Sequence, residues 1–138
     1  MKKISEVMTG NVRIASPDDT IGNAAQQMAQ NDVGSLPVGE NDRLIGMITD
    51  RDIVVRAVAQ GKSAETPVRE VMTESIRYCF EDDDVLEVAR TMSELGVRRL
   101  PVLDRNKRLV GIVALSNFAS AGTDKARDTL LEGVATPH

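Results

Sequence analysis

Three residues near the middle of the chain combine a backbone opening, a hydroxyl and a carboxylate. They are Gly46, Thr49 and Asp52, in the run Gly46-Met47-Ile48-Thr49-Asp50-Arg51-Asp52-Ile53. A glycine after a β-type run lets a ligand approach the backbone closely. The Thr49 hydroxyl can cap a helix or bind an oxygen. Asp52 offers two acceptor oxygens, which suit a ribose diol. The start of a helix beside them favours a phosphate. The same residues also describe a capped helix start with an exposed acid, and both readings stand at this point.

The rest of the composition narrows the chemistry. Cys79 is the only cysteine, so an internal disulfide or a cysteine metal cluster is not expected. His138 is the only histidine and ends the sequence, which leaves no histidine for a catalytic triad or metal site inside the fold. No nucleophile–base set or Gly-rich phosphate loop is visible, so the chain does not read as an enzyme. The net charge of −4 argues against a nucleic-acid footprint. No run approaches the roughly 18–20 apolar residues of a membrane span, and Met1-Lys2-Lys3-Ile4-Ser5-Glu6 does not lead into a secretory signal. A cytoplasmic location is expected. Asp82-Asp83-Asp84 reads as a solvated helix start, Cys79 as a buried inert thiol, and the methionines as core filler.

These residues sit on an internal repeat. A shift of 64 positions brings Glu6-Val7-Met8-Thr9 onto Glu70-Val71-Met72-Thr73, Asp18-Asp19 onto Asp82-Asp83, and Leu36-Pro37-Val38 onto Leu100-Pro101-Val102. With one inserted residue the shift becomes 65, and Asn41, Arg43, Leu44 and Gly46 match Asn106, Arg108, Leu109 and Gly111. We place repeat 1 at residues 4–61, a linker at 62–67, repeat 2 at 68–120 and a tail at 121–138.

Each repeat reads as strand, helix, strand, strand, helix, an α/β (α+β) pattern. The first strands are expected at 12–15 and 76–80. Ile21, Ala24, Ala25 and Met28, and again Val85, Val88, Ala89 and Met92, lie at i, i+3, i+4 and i+7, one apolar helix face each. Ser16-Pro17-Asp18-Asp19 and Glu81-Asp82-Asp83 read as acidic first turns of those helices. Strands follow around 36–38 and 44–48, and around 100–103 and 109–113. A second helix starts near Asp50, carries Ile53, Val54, Ala57 and Val58, and ends at Gly61. Pro37 and Pro101 should sit where no ladder N–H is needed, at a strand edge or bulge.

The Val-Met-Thr, Leu-Pro-Val and Gly46–Ile53 motifs, occurring in order and twice, resemble CBS domains over about residues 4–120. The resemblance implies two βαββα repeats packed pseudo-symmetrically through their sheets, and is nearest to short bacterial stand-alone CBS pairs of the hypoxic-response type. It also implies a cleft that senses an adenosine-containing ligand such as AMP, ADP, ATP or S-adenosylmethionine, with no cofactor required. In the family the aspartate at the place of Asp52 holds the ribose hydroxyls, and basic residues where Arg98 and Arg99 stand often meet ligand phosphates. The second copy departs from this pattern: Ala114 replaces Thr49 and Asn117 replaces Asp52, beside Ser116. The candidate ligand-binding set is therefore Gly46, Thr49, Asp52, Arg98, Arg99, Ser116 and Asn117. A homodimer and a separate effector protein are the expected partners. A ligand-free module that only binds a protein partner is the alternative. The tail, with a weak helical pattern over 123–133, could dock a partner or fray.

Overall fold

The computed structural model describes residues 2–10, 12–74 and 76–120, without the side chains of 119 and 120. The tail reading falls outside them. The chain forms two compact units, Arg13–Ile76 on one hand and Met1–Val12 with the chain from Arg77 onward on the other. Spatial units and sequence repeats are thus offset. The first Val-Met-Thr segment packs in the unit of the second repeat, and the second Val-Met-Thr segment packs in the unit of the first.

In the Arg13–Ile76 unit, α1 is Ile21–Asn31, with the Thr20 hydroxyl accepting from the Asn23 N–H. The expected acidic first turn is corrected here. The first turn of α1 holds no acid, because Asp19 lies before the cap and accepts from the Thr20 N–H and the Asn23 side chain instead. Strands β1 (Ser35–Glu40) and β2 (Arg43–Thr49) pair antiparallel. Asn41 and Asp42 join them, both at positive φ, 55° and 64°, the backbone a two-residue hairpin with native twist requires.

The second helix departs from a regular amphipathic helix. It opens as the α-turn α2 (Asp50–Asp52), widens into a π-helical stretch at Ile53–Ala57 and tightens into a 3-10 turn at Val58–Gln60. Gly61 ends it at φ 74°, the left-handed position that suits glycine. Only Ala57 is fully buried on it, whereas Val54, Val55 and Val58 are exposed at 57%, 44% and 66%.

The other unit repeats the plan. Strand β3 is Cys79–Phe80, α3 is Val85–Leu95, β4 is Arg99–Leu103, β5 is Leu109–Ala114 and α4 is Leu115–Ser120. Its sheet runs β3-β4-β5. Asp84 is the cap residue of α3, and the first-turn acid is Glu87, again not the upstream acids. Asp83 instead accepts from the Phe80 N–H.

The first strand of each repeat is shorter than the sequence suggests. Ala15 makes a single parallel bridge to Val38, donating to the Pro37 carbonyl and accepting from the Gly39 N–H. Extending that parallel ladder backward needs the N–H of Pro37, which proline lacks. Pro101 ends the β3 ladder at Cys79 for the same reason, since Cys79 faces Val102. On their other side Pro37 and Pro101 face Met47 and Ile112. The N–H and C=O of Met47 and Ile112 serve Thr73 and Thr9. The prolines therefore lie within their strands, one residue before the bulges at Val38/Gly39 and Val102/Leu103.

Each unit has its own core. Ile21, Ala24, Met28, Leu36, Val38, Ile48, Ala57, Val68 and Val71 fill the first. Val85, Val88, Met92, Leu100, Val102, Val113, Phe118 and Ile4 are among those filling the second. Full burial of such aliphatic and aromatic side chains contributes about 1.5–3 kcal/mol each. Cys79 is buried within the second core, and desolvation, helped by the nearby Asp83 charge, pushes its thiol up to about 12. It behaves as a small inert core residue.

Candidate functional site

Thr49 and Asp52 close a reciprocal cap at the end of β2. The Thr49 hydroxyl accepts from the Asp52 N–H at 3.0 Å, and Asp52 Oδ2 accepts from the Thr49 N–H at 3.0 Å. The second oxygen, Oδ1, receives the Thr73 hydroxyl at 3.4 Å and lies 3.8 Å from Arg56 Nε. Asp52 is therefore not the exposed acid of a simple helix start: its side chain is only 13% exposed. The cap hides one oxygen, and residues 56 and 73 shelter the other.

Gly46 has a second assignment as well. A Cβ there would meet the Thr73 carbonyl oxygen at 2.8 Å and Met72 Sδ at 2.9 Å. The close approach that Gly46 permits is made by the chain's own 72–73 segment. That segment is held by a two-way backbone pair, Met47 N–H to Thr73 O at 3.0 Å and Thr73 N–H to Met47 O at 2.8 Å.

Arg98, Arg99, Ser116 and Asn117 lie in the other unit, where the same frame carries different chemistry. Asn117 Oδ1 accepts from the Ala114 N–H at 2.7 Å, which reproduces half of the Asp52 cap. Ala114 has no hydroxyl to return the bond. Asn117 Nδ2 points to the Thr9 hydroxyl at 3.4 Å and donates to it. The corresponding contact in the first unit runs the other way, because a carboxylate only accepts. A Cβ at Gly111 would meet Thr9 O at 2.7 Å and Met8 Sδ at 2.8 Å, and Thr9 pairs both ways with Ile112. Arg98 and Arg99 are exposed at the start of β4. Arg99 is in register with Ala114, and the Arg98 carbonyl accepts from the Leu115 N–H. Ser116 is exposed in the first turn of α4.

The structure thus gathers Gly46, Thr49 and Asp52 in one unit, and Arg98, Arg99, Ser116 and Asn117 in the other. Sequence reasoning missed Arg56, Thr73 and Thr9. The repeated Val-Met-Thr motif marked the threonines without showing what their hydroxyls meet. Arg56 has no counterpart in the repeat, since Ala121 occupies the matching position.

Elsewhere, Arg105 lies over the Phe80 ring at 4.3 Å and bridges to Asp82 and Asp83. It holds the Asp82 carboxyl below its ordinary range. Among the described residues no group of three or more potential metal-binding side chains is gathered. No helix among them is long and apolar enough to cross a membrane.

Comparison with known proteins matches the model of the CBS domain at residues 4–58 and 68–124. The CBS domain-containing protein YhcV of Bacillus subtilis is 42% identical over 119 residues, covering 86% of this chain and 84% of that protein. Hypoxic response protein 1 of Mycobacterium tuberculosis is 34% identical over 139 residues, 99% of this chain and 96% of that one. A crystal structure of Hypoxic Response Protein I with two coordinated zinc ions superposes with a TM-score of 0.78 at 36% identity, over 86% of this chain and 98% of that one. The CBS domain pair of protein MJ0100, solved with 5'-methylthioadenosine and S-adenosyl-L-methionine, gives 0.76 at 27% identity, over 91% of this chain and 98% of that one.

Proposed function

Because the chain belongs to the CBS-domain family and carries two copies of the domain, we propose that it is a non-catalytic regulatory module, sensing an adenosine-containing ligand in the cytoplasm. AMP, ADP, ATP and S-adenosylmethionine are the ligands to test. In this reading the ribose diol sits on Asp52, beside Gly46 and Thr49. In the other unit, Arg98, Arg99, Ser116 and Asn117 are a separate candidate set for an anionic group. The module works as a homodimer and passes its output to a separate effector protein.

The observation that carries the reading is the state of the Asp52 carboxylate. A carboxylate has about four acceptor positions. One is filled by the Thr49 N–H at an ordinary 3.0 Å, and Oδ1 has only a long hydroxyl contact at 3.4 Å and a guanidinium at 3.8 Å. Oδ1 is thus the less satisfied oxygen of a group the cap already holds in place, and a hydroxyl donor that displaced its two long contacts would gain a stronger bond. The adenosine-type ligands of the MJ0100 pair support the same ligand class.

Calorimetry with the four ligands on the wild type and on Asp52→Asn tests this. The asparagine is chosen because Asn117 shows that an amide can make the cap. A hydrogen bond to a charged group is worth about 1.5–3 kcal/mol, so losing even one in Asp52→Asn should weaken binding roughly 10- to 150-fold. Equal affinity in both proteins overturns the ribose assignment. The second reading, a ligand-free partner-binding module, is favoured by the exposed Val54, Val55 and Val58. A wild type that binds none of the four ligands would select it.

A further inference from the structure

The guanidinium of Arg56 adds a further link between Asp52 and the 71–73 segment, which the Met47–Thr73 backbone pair and the Thr73 hydroxyl also tie to this part of the unit. Its Nε faces Asp52 Oδ1 at 3.8 Å. Its Nη1 donates to the Met72 carbonyl at 3.1 Å and reaches the Val71 carbonyl at 3.5 Å. The segment it holds runs on through Thr73, whose hydroxyl meets the same Oδ1, to Ile76, where the chain leaves this unit. Asp52 Oδ1 is thus the oxygen on which the 71–73 segment converges, through Arg56 and through Thr73. It is also the less tightly held oxygen of the carboxylate, with contacts only at 3.4 and 3.8 Å.

The local backbone accounts for how Arg56 gets there. It lies in the π-helical stretch Ile53–Ala57, where the backbone is wider than an α-helix. The planar fork of arginine then meets a carboxylate and a carbonyl at once, which a lysine ammonium on one flexible stem does not do in a fixed geometry. In the sequence of the second repeat, Ala121 stands at the position matching Arg56, and Asn117 carries no charge.

We propose that Arg56 is a positioning residue that couples the state of the Asp52 carboxylate to the 71–73 segment. A group that takes Oδ1 competes with Arg56 and Thr73 for it and weakens their hold on the segment. Occupancy of Asp52 is thereby reported to the stretch of chain that exits the unit. The ligand arm of this proposal rests on the adenosine reading above, but the coupling itself does not.

Neutralising Asp52 imitates the loss of the ionic contact without any ligand. The test is amide hydrogen exchange at Met72 and Thr73, whose N–H groups bond to Val68 O and Met47 O. It is read in wild type, Asp52→Asn, Arg56→Lys and the double variant. Asp52→Asn should speed exchange at these amides about two- to fivefold, the size expected of a half-exposed ion pair. In the Arg56→Lys background the same change should have little further effect, because the fork is already gone. Equal acceleration in both backgrounds, or none in either, overturns the proposal.

A second arm adds saturating AMP or S-adenosylmethionine to wild type and Arg56→Lys, with binding checked by calorimetry. Faster exchange at Met72 and Thr73 in wild type alone supports the coupling. An unchanged rate in a wild type that binds overturns its ligand arm. If neither binds, ADP and ATP take their place; a wild type that binds none of the four fails the adenosine reading, and the coupling is then decided by the four-protein cycle.

Discussion

Alanine at Gly46 should damage the fold at one defined point. The added Cβ would lie 2.8 Å from the Thr73 carbonyl oxygen and 2.9 Å from Met72 Sδ. The sulfur ends a flexible side chain and can turn away, but the carbonyl belongs to the backbone pair with Met47 at 3.0 and 2.8 Å. Relieving the overlap means moving the 72–73 segment or stretching those two bonds. Overpacking costs about 1–3 kcal/mol, and weakening one bond of the pair adds about 0.5–1.5 kcal/mol. Glycine-to-alanine entropy returns roughly 0.4–1 kcal/mol. The net loss is about 1–3 kcal/mol, a large share of a small domain's stability. Gly111→Ala should cost as much, since its Cβ would meet Thr9 O at 2.7 Å. Gly10→Ala is the control, with nothing within 4 Å of its Cβ. Urea midpoints should fall for the first two variants and hold for the third, with unchanged slopes. A Gly46→Ala midpoint equal to that of Gly10→Ala would refute the reasoning.

Further outcomes follow from the same geometry. Burial raises the Cys79 thiol from its ordinary 9.0 to about 12, so above the ordinary value the unfolded chain sheds a proton that the folded chain keeps. Stability should therefore be intact below about pH 9 and fall as pH rises toward 12, by up to about 1.4 kcal/mol per unit, a slope that Cys79→Ala should remove in urea titrations. Asp52→Ala should destabilise the apo protein by about 0.5–2 kcal/mol through loss of the cap, whereas Asp52→Asn should keep most of that stability; equal melting curves for the two would contradict the cap. Asn117→Asp with Ala114→Thr rebuilds the reciprocal cap in the other unit and should raise stability by about 0.5–1 kcal/mol, with a second adenosine-ligand stoichiometry in calorimetry as the functional readout.

Much of the fold was legible because it rests on local rules. The i, i+3, i+4, i+7 faces placed α1 and α3, and the repeated Leu-Pro-Val runs at Leu36 and Leu100 placed the paired strands. The first strands and the acidic turns were misjudged because they depend on partners the sequence does not align. Ala15 pairs once because a proline far along the chain cannot donate, and Asp19 serves the loop before the Thr20 cap. The candidate site was legible as a set of groups and not as an arrangement. Thr49 and Asp52 announced themselves by spacing, but Asp52's low exposure comes from Arg56 and Thr73, 4 and 21 residues away. Gly46 was read as an opening for a ligand, when its nearest neighbour is the returning second copy of Val-Met-Thr.

The two units show what the repeat preserves and what it lets change. The strand glycine, the threonine crossing it and a side-chain oxygen on the residue-49 or residue-114 N–H occur in both. Each is a backbone contact, and each constrains geometry without fixing charge. The atom that differs is the one facing the threonine hydroxyl. In the first unit Oδ1 of Asp52 accepts from Thr73, and in the second Nδ2 of Asn117 donates to Thr9. That substitution reverses one hydrogen bond and leaves Thr9 with its own hydrogen to donate. A scaffold conserved between copies thus carries an acceptor site in one unit and a donor site in the other. On the reading proposed above, the acceptor would take a diol and the donor an anion. The cap holds both side chains in the structure without any ligand, so on that reading little ordering cost would fall on binding, and the atoms that stiffen the turn would also be the ones that recognise the ligand.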